Sequence, residues 1–160
     1  FNLVRPYMYS HWSGESNYGH YNQPLAHPWG GNFYEIIARA QYNYKRFYFQ
    51  YKMNYGQWGD DITTENGEFQ YYGHDIYHNY IDHYHIDGKP LYGHYMLTGE
   101  RNTLLMNNIV ASWIVNPSYN LNVFAEITHR NQTIDDGDNY NDFIISFGIR
   151  TTLDNKYYDF

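Results

Sequence analysis

Residues 143–160 read FIISFGIRTTLDNKYYDF, and the first part of that stretch decides the fold class. Phe143, Ile145, Phe147, Ile149, Thr151 and Leu153 fall on one parity. Ser146, Gly148, Arg150 and Thr152 fall on the other, with Ile144 the one misfit. Period two is the signature of a β-strand with a single apolar face. The rest of the chain has to say whether that face meets a protein core or lipid.

The same period recurs. In FYFQYKMNYG, residues 47–56, Phe47, Phe49, Tyr51, Met53 and Tyr55 oppose Tyr48, Gln50, Lys52 and Asn54. In residues 32–44, Tyr34, Ile36, Ala38, Ala40, Tyr42 and Tyr44 oppose Glu35, Arg39, Gln41 and Asn43. In residues 119–130, Leu121, Val123, Ala125 and Ile127 oppose Asn122, Glu126, Thr128 and Arg130. Residues 104–115 alternate less cleanly, with Ile109, Ala111, Trp113 and Val115 on one parity. The opening FNLVRPYMY reads as a strand interrupted by Pro6.

Composition narrows the setting. The chain has 21 Tyr, 9 Phe and 4 Trp, yet its mean hydropathy is −0.76. No run approaches the roughly 20 apolar residues of a transmembrane helix. A membrane β-barrel, whose strands alternate, looks polar on any averaged scale, and Tyr and Trp suit its interfaces. The net charge of −7 argues against nucleic acid as a partner. Zero cysteines excludes a disulfide framework and thiol chemistry. With no initiator Met and no signal peptide at Phe1, the sequence reads as a processed or partial chain.

Connection lengths separate a barrel from a sandwich. Lys45-Arg46 and Asn116-Pro117-Ser118-Tyr119 form short turns. Residues 10–31, 57–100 and 131–141 form long connections. Long and short alternate, so all long loops gather at one end of the strands, as in outer-membrane barrels. The expected fold is all-β: the C-terminal portion of an antiparallel transmembrane β-barrel, with about six strands, extracellular loops at 10–31, 57–100 and 131–141, and a periplasmic tail at 154–160. The polar parity, with Glu35, Arg39, Lys52, Glu126 and Arg150, would line a mixed-charge lumen. Six strands are fewer than the roughly eight that close the smallest such barrels, which implies a larger barrel.

Three segments carry candidate sites. In NYGHYNQPLAHP, residues 17–28, the aromatic rings together with His20, Asn22, Gln23 and His27 suit either a sugar-binding surface or a loop folded into the barrel mouth. The segment 74–87 gathers His74, Asp75, His78, Asp82, His83, His85 and Asp87. His74 and His78 would share a helix face and His83 and His85 a strand face, which opens a divalent metal site. No glutamate stands where a His-Glu-x-x-His motif would place a general base, and no nucleophile, phosphate loop or carboxylate pair points to catalysis. The acidic stretches Gly59–Asp61 and Asp135–Asp138 read as solvated loop tips. Finally, Phe143, Ile145, Phe147, Ile149 and Phe160 suit an assembly signal read by edge pairing. Phe160 is off parity, so the end of the chain is either bulged or a separate tail.

The run RPYMYSHWSGESNYGHYNQPLAHPWGGNF, residues 5–33, resembles a motif in the C-terminal half of RemB-type gliding-motility proteins, a family similar in turn to Wzi-type capsule-assembly outer-membrane proteins. Gly59-Asp60-Asp61, Asn116-Pro117 with Asn120-Leu121, Phe147–Thr151 and Asn155–Phe160 share the likeness, which spans most of the chain. It implies a non-enzymatic barrel of the bacterial outer membrane, tied to surface motility or exopolysaccharide handling. The partners expected are membrane lipid and lipopolysaccharide, the barrel assembly machinery, other surface or secretion-complex proteins, and exopolysaccharide. The chain could act there as a partial barrel or as a client or component of an assembly or secretion complex. The alternatives are a soluble, aromatic-rich carbohydrate-binding β-domain and a metal-dependent surface enzyme using the 74–87 cluster.

Overall fold

The computed structural model describes residues 1–21, 23–79, 93–135 and 137–151. Its strands, in chain order, are β1 (Asn2–Val4), β2 (Gly19–His20), β3 (Gln23–Pro24), β4 (Phe33–Tyr44), β5 (Phe47–Asp60), β6 (Ile62–Thr63), β7 (Phe69–Gln70), β8 (Glu100–Asn116), β9 (Leu121–Ile134) and β10 (Tyr140–Arg150). Six of them form one sheet in the order β1-β4-β5-β8-β9-β10. Every neighbour pair is antiparallel. The sheet is open: among the described residues β1 and β10 do not pair, and each leaves a free edge. The two-residue strands β2–β3 and β6–β7 form small separate hairpins.

Both short turns stand where the sequence puts them. Tyr44 pairs with Phe47, and Lys45 takes the positive φ, 53°, that a primed hairpin turn needs at its first central position. Between β8 and β9, the Asn116 side chain accepts from Ser118 N at 2.9 Å. Asn120 then adopts the left-handed conformation, φ 51°, to re-enter β9, a conformation Asn tolerates better than most residues.

At the other end the strands run further than expected. β5 continues to Asp60, and β8 begins at Glu100. β9 extends to Ile134, where it still pairs with Asn102, and β10 begins at Tyr140 opposite Gln132. The expected long loop at 131–141 therefore shrinks to 135–139. Its polar residues concealed the strand, but a ladder rests on main-chain bonds and tolerates Asn131, Gln132 and Thr133.

Register aligns the parities into rows across the sheet. On one face stand Tyr44-Phe47-Trp113-Val123-Ile149, then Tyr42-Phe49-Ala111-Ala125-Phe147, then Ala40-Tyr51-Ile109-Ile127-Ile145. The next row, Ala38-Met53-Asn107-His129-Phe143, mixes apolar and polar. Ile36-Tyr55-Leu105 continues it on the first strands, where β9 and β10 carry Asn131 and Asn141. From Tyr44 to Ile36 this apolar face is about 27 Å tall at strand rise. Its upper boundary slopes down from β4 to β10. Among the described residues nothing covers it, and Phe147 is 86% and Ile149 73% exposed.

The opposite face is polar and laced across strands. Arg39 Nη2 donates to Gln50 Oε1 at 2.7 Å. Asn108 Nδ2 donates to Glu126 Oε1 at 2.6 Å and to Thr128 Oγ1 at 2.8 Å. Arg130 reaches Gln132 at 2.7 Å and Asp142 at 3.9 Å.

Among the described residues the protein core lies at the long-loop end, where described residues of 5–32, 61–79 and 93–99 fold against the sheet as a cap. Val4, Tyr7, Phe33, Tyr71, Ile76 and Leu104 are its buried apolar residues. Asn32 joins the parts. Fully buried and at φ 56°, its Nδ2 donates to Gly59 O and Thr98 O, both at 2.8 Å, while its Oδ1 accepts from Leu97 N at 2.7 Å. Its own backbone carbonyl accepts from Gly59 N at 3.0 Å. Such an approach requires glycine at 59, because a Cβ there would overlap both Thr98 O and Asn32 Nδ2.

Asn32→Ala should therefore destabilise the cap by about 1–3 kcal/mol, the cost of leaving a buried amide donor and two carbonyls unpaired. Asn32→Gly, which relieves the left-handed backbone without restoring the bonds, should recover only part. Hydrogen exchange at the Leu97 amide reads both. Unchanged protection in Asn32→Ala would contradict the keystone role.

Candidate functional site

The cap is where the sequence-predicted polar residues gather. Trp29 packs on the sheet over Gly56, where any Cβ would run into the indole ring. The ring also packs against Trp58, at 5.1 Å between centroids, and edge-on to Phe33 at 5.6 Å. The cap thus covers the polar face, not the apolar one.

Beside Trp29 sits a buried carboxylate. Glu35 is 3% exposed. Its Oε2 accepts from Asn2 Nδ2 at 2.7 Å and from His27 Nε2 at 3.1 Å, and its Oε1 from Asn54 Nδ2 at 2.7 Å. His27 Nδ1 accepts from Trp29 N at 3.2 Å. That bond fixes the tautomer: Nδ1 carries no proton and Nε2–H faces the carboxylate. Of the residues singled out in the 17–28 loop, His27 is structural. His20 and Gln23 pair across the β2–β3 hairpin and stay exposed, His20 against the Tyr21 ring at 4.3 Å. Asn22 lies outside the described residues.

The 74–87 cluster does not assemble as a metal site where it is described. Residues 71–79 form bends and turns, with no helix, so His74 and His78 share no helix face. His74 Nδ1 bonds Gly31 O at 2.9 Å, with its Nε2 3.9 Å from Asp60. His78 stacks on Phe69 at 4.5 Å and faces Asp75 at 3.6 Å. Local backbone bonding won over helix formation here, because the segment is sewn to residues 5–32 through Tyr7 N to Gly73 O at 3.2 Å and Gly31 N to His74 O at 2.9 Å. Among the described residues no group of three or more metal-ligating side chains converges. Asp82, His83, His85 and Asp87 lie outside them.

Asp61, read from sequence as part of a solvated loop tip, is instead an anchor. Its Oδ1 accepts from Tyr72 N at 2.5 Å and its Oδ2 from Asp75 N at 2.8 Å. Burial pushes its carboxyl above the ordinary aspartate value of 3.8, although the two amides and nearby His74 pull the other way. Asp135 and Asp138, by contrast, are exposed at the 135–139 turn as expected; Asp136 lies outside the described residues.

The suggested assembly-signal residues Phe143, Ile145, Phe147 and Ile149 align on the apolar face of the free edge strand β10, each well exposed. Phe160 and the expected tail at 154–160 lie outside the described residues. No described helix is long and apolar enough to cross a membrane. No family model, curated protein or solved structure matches the chain.

The sequence reading gave no role to Asn32 and the wrong one to Asp61, two central residues of the cap. Gly30-Gly31-Asn32, three residues tolerant of left-handed backbone before a strand, was the available signal for the first.

The raised Asp61 carboxyl has a sign. Its folded form binds the proton more tightly than the unfolded chain does, so its contribution to cap stability is fullest below about pH 4 and declines as pH rises through the folded value. Asp61→Asn should flatten that part of the pH profile and, with one acceptor oxygen for two amide donors, weaken the cap at every pH. Thermal or chemical melts of the two proteins across pH 3–8 test this, and parallel profiles would refute it.

Proposed function

We propose that this chain forms part of the wall of a β-barrel in the bacterial outer membrane, with no enzymatic activity of its own. The observation that carries the reading is the apolar face of five long antiparallel strands, uncovered among the described residues, opposite a face that carries charged and amide side chains bonded across the strands. Alternating strands with apolar side chains outward and polar ones inward are what a lipid-embedded barrel requires. The apolar face runs about 27 Å along β4; at a strand tilt of roughly 35–45° that spans roughly 19–22 Å of membrane, within a residue or two per strand of the roughly 25 Å band such barrels present. Its aromatic border of Tyr44, Phe47 and Trp113 at the turn end suits a membrane interface.

The sloping upper boundary supports the same reading, since strands tilted by roughly 35–45° cut a level membrane plane at a different residue on each strand. Among the described residues the cap packs on the polar face, which supports a position in the outer mouth of the lumen. A soluble carbohydrate-binding domain would leave far more contiguous apolar surface in water than monomeric proteins tolerate. The sequence likeness supports a role in gliding or surface exopolysaccharide handling, with lipopolysaccharide and the assembly machinery as partners.

The absence of native cysteine makes a direct test simple. Single cysteines at positions 143 to 149 in β10 can carry spin labels in detergent-purified protein returned to bilayers. Labels at 143, 145, 147 and 149 should be relaxed by oxygen, and those at 144, 146 and 148 by a water-soluble nickel chelate. Equal nickel accessibility at both parities would overturn the membrane reading.

A further inference from the structure

At the turn end of the polar face, opposite the cap, lies a hollow of about 290 Å³. β8 forms its floor through Ser112. Asn43 and Tyr48 line one side, and Phe124 and Arg150 the other. The absence of a side chain at Gly148 lets Phe124 lie across β10, since a Cβ there would come within 3.0 Å of the ring. The Arg150 guanidinium sits 4.9 Å from the centre of that ring. It forms no ion pair with an acid among the described residues, whereas Arg130 on the same face is engaged by Asp142 and Gln132. Asn122 is held in orientation, its Nδ2 donating to Asn120 O at 2.7 Å and its Oδ1 accepting from Ser112 Oγ at 3.4 Å.

We propose that this hollow binds a carboxylate-bearing sugar ring. Arginine grips a carboxylate through paired N–H donors, and aromatic stacking holds its fork in place. Phe124 is taken up in holding the guanidinium, and Tyr48 offers a ring face to the C–H side of a pyranose. Asn43 and Ser112 offer donors and acceptors for its hydroxyls. A neutral sugar would leave Arg150 unanswered, and a bare phosphate would make no use of the Tyr48 ring. A volume near the lower end of ligand pockets, roughly 300 Å³, suits one sugar unit. The inference goes beyond the membrane role and does not depend on which medium covers the opposite face.

The test is calorimetric titration of the detergent-purified protein with D-glucuronate and D-galacturonate, with glucose and galactose, and with inorganic phosphate. At least one hexuronate should bind tenfold or more tightly than its neutral counterpart and than phosphate. Arg150→Gln should weaken that binding at least tenfold, while Arg130→Gln leaves it unchanged. Should Arg150→Gln fail to fold, Arg150→Lys and Phe124→Leu decide instead: each should weaken hexuronate binding severalfold. The proposal falls if neither hexuronate binds, if the neutral sugar or phosphate binds equally well, or if the Arg150 and Phe124 variants bind like the unmodified protein.

Discussion

The architecture depends on one buried amide. Asn32 stands at the entrance to β4 and satisfies three backbone groups from two other parts of the chain, Gly59 at the end of β5 and Leu97 and Thr98 just before β8. Without the amide, two carbonyls and one N–H, buried or half-buried, would lose this partner. The left-handed backbone of Asn32 turns its side chain toward them. The cap therefore closes around a side-chain hydrogen-bond hub and only then packs its rings. Tyr71 follows the same rule: buried, it donates to Asp75 O at 2.7 Å and meets Ser10 Oγ at 2.5 Å.

Below the cap the sheet has no core of its own among the described residues. Its strands hold together by main-chain ladders and by cross-strand side-chain bonds on the polar face, and no described residue packs over the apolar face. This inverts the usual arrangement, in which a sheet buries its apolar face against a second layer. In the proposed barrel the surrounding medium supplies that second layer, and the side chains that would be a core elsewhere become the outer surface.

How much of this could be read from the sequence follows from what each feature rests on. Period two at 47–56 and 143–149 is a property of side chains, so strand identity, face assignment and both tight turns were legible. The extensions to Asp60, Ile134 and back to Glu100 rest on main-chain pairing, which Gln132 and Thr133 do not advertise. His74 and His78 looked like a helical pair because spacing alone cannot reveal that Gly31 and Gly73 draw their backbone into another segment. Asp61 looked solvated because it sits in an acidic run, yet its two amide donors come from Tyr72 and Asp75, brought round by the hairpin of β6 and β7. Local pattern revealed the sheet, and long-range backbone bonding made the cap.

The free edge of β10 has a consequence for how such a sheet comes to exist. Along its outer side, alternate residues from Tyr140 to Arg150 present N–H and C=O groups with no strand among the described residues to receive them. In water each is hydrated at little cost. In hydrocarbon each would cost several kcal/mol. A sheet of this form therefore has no stable resting place inside a bilayer by itself. Entry into the membrane and lateral pairing of β10 would have to be one event, and the strand that seals this edge sets the moment of insertion.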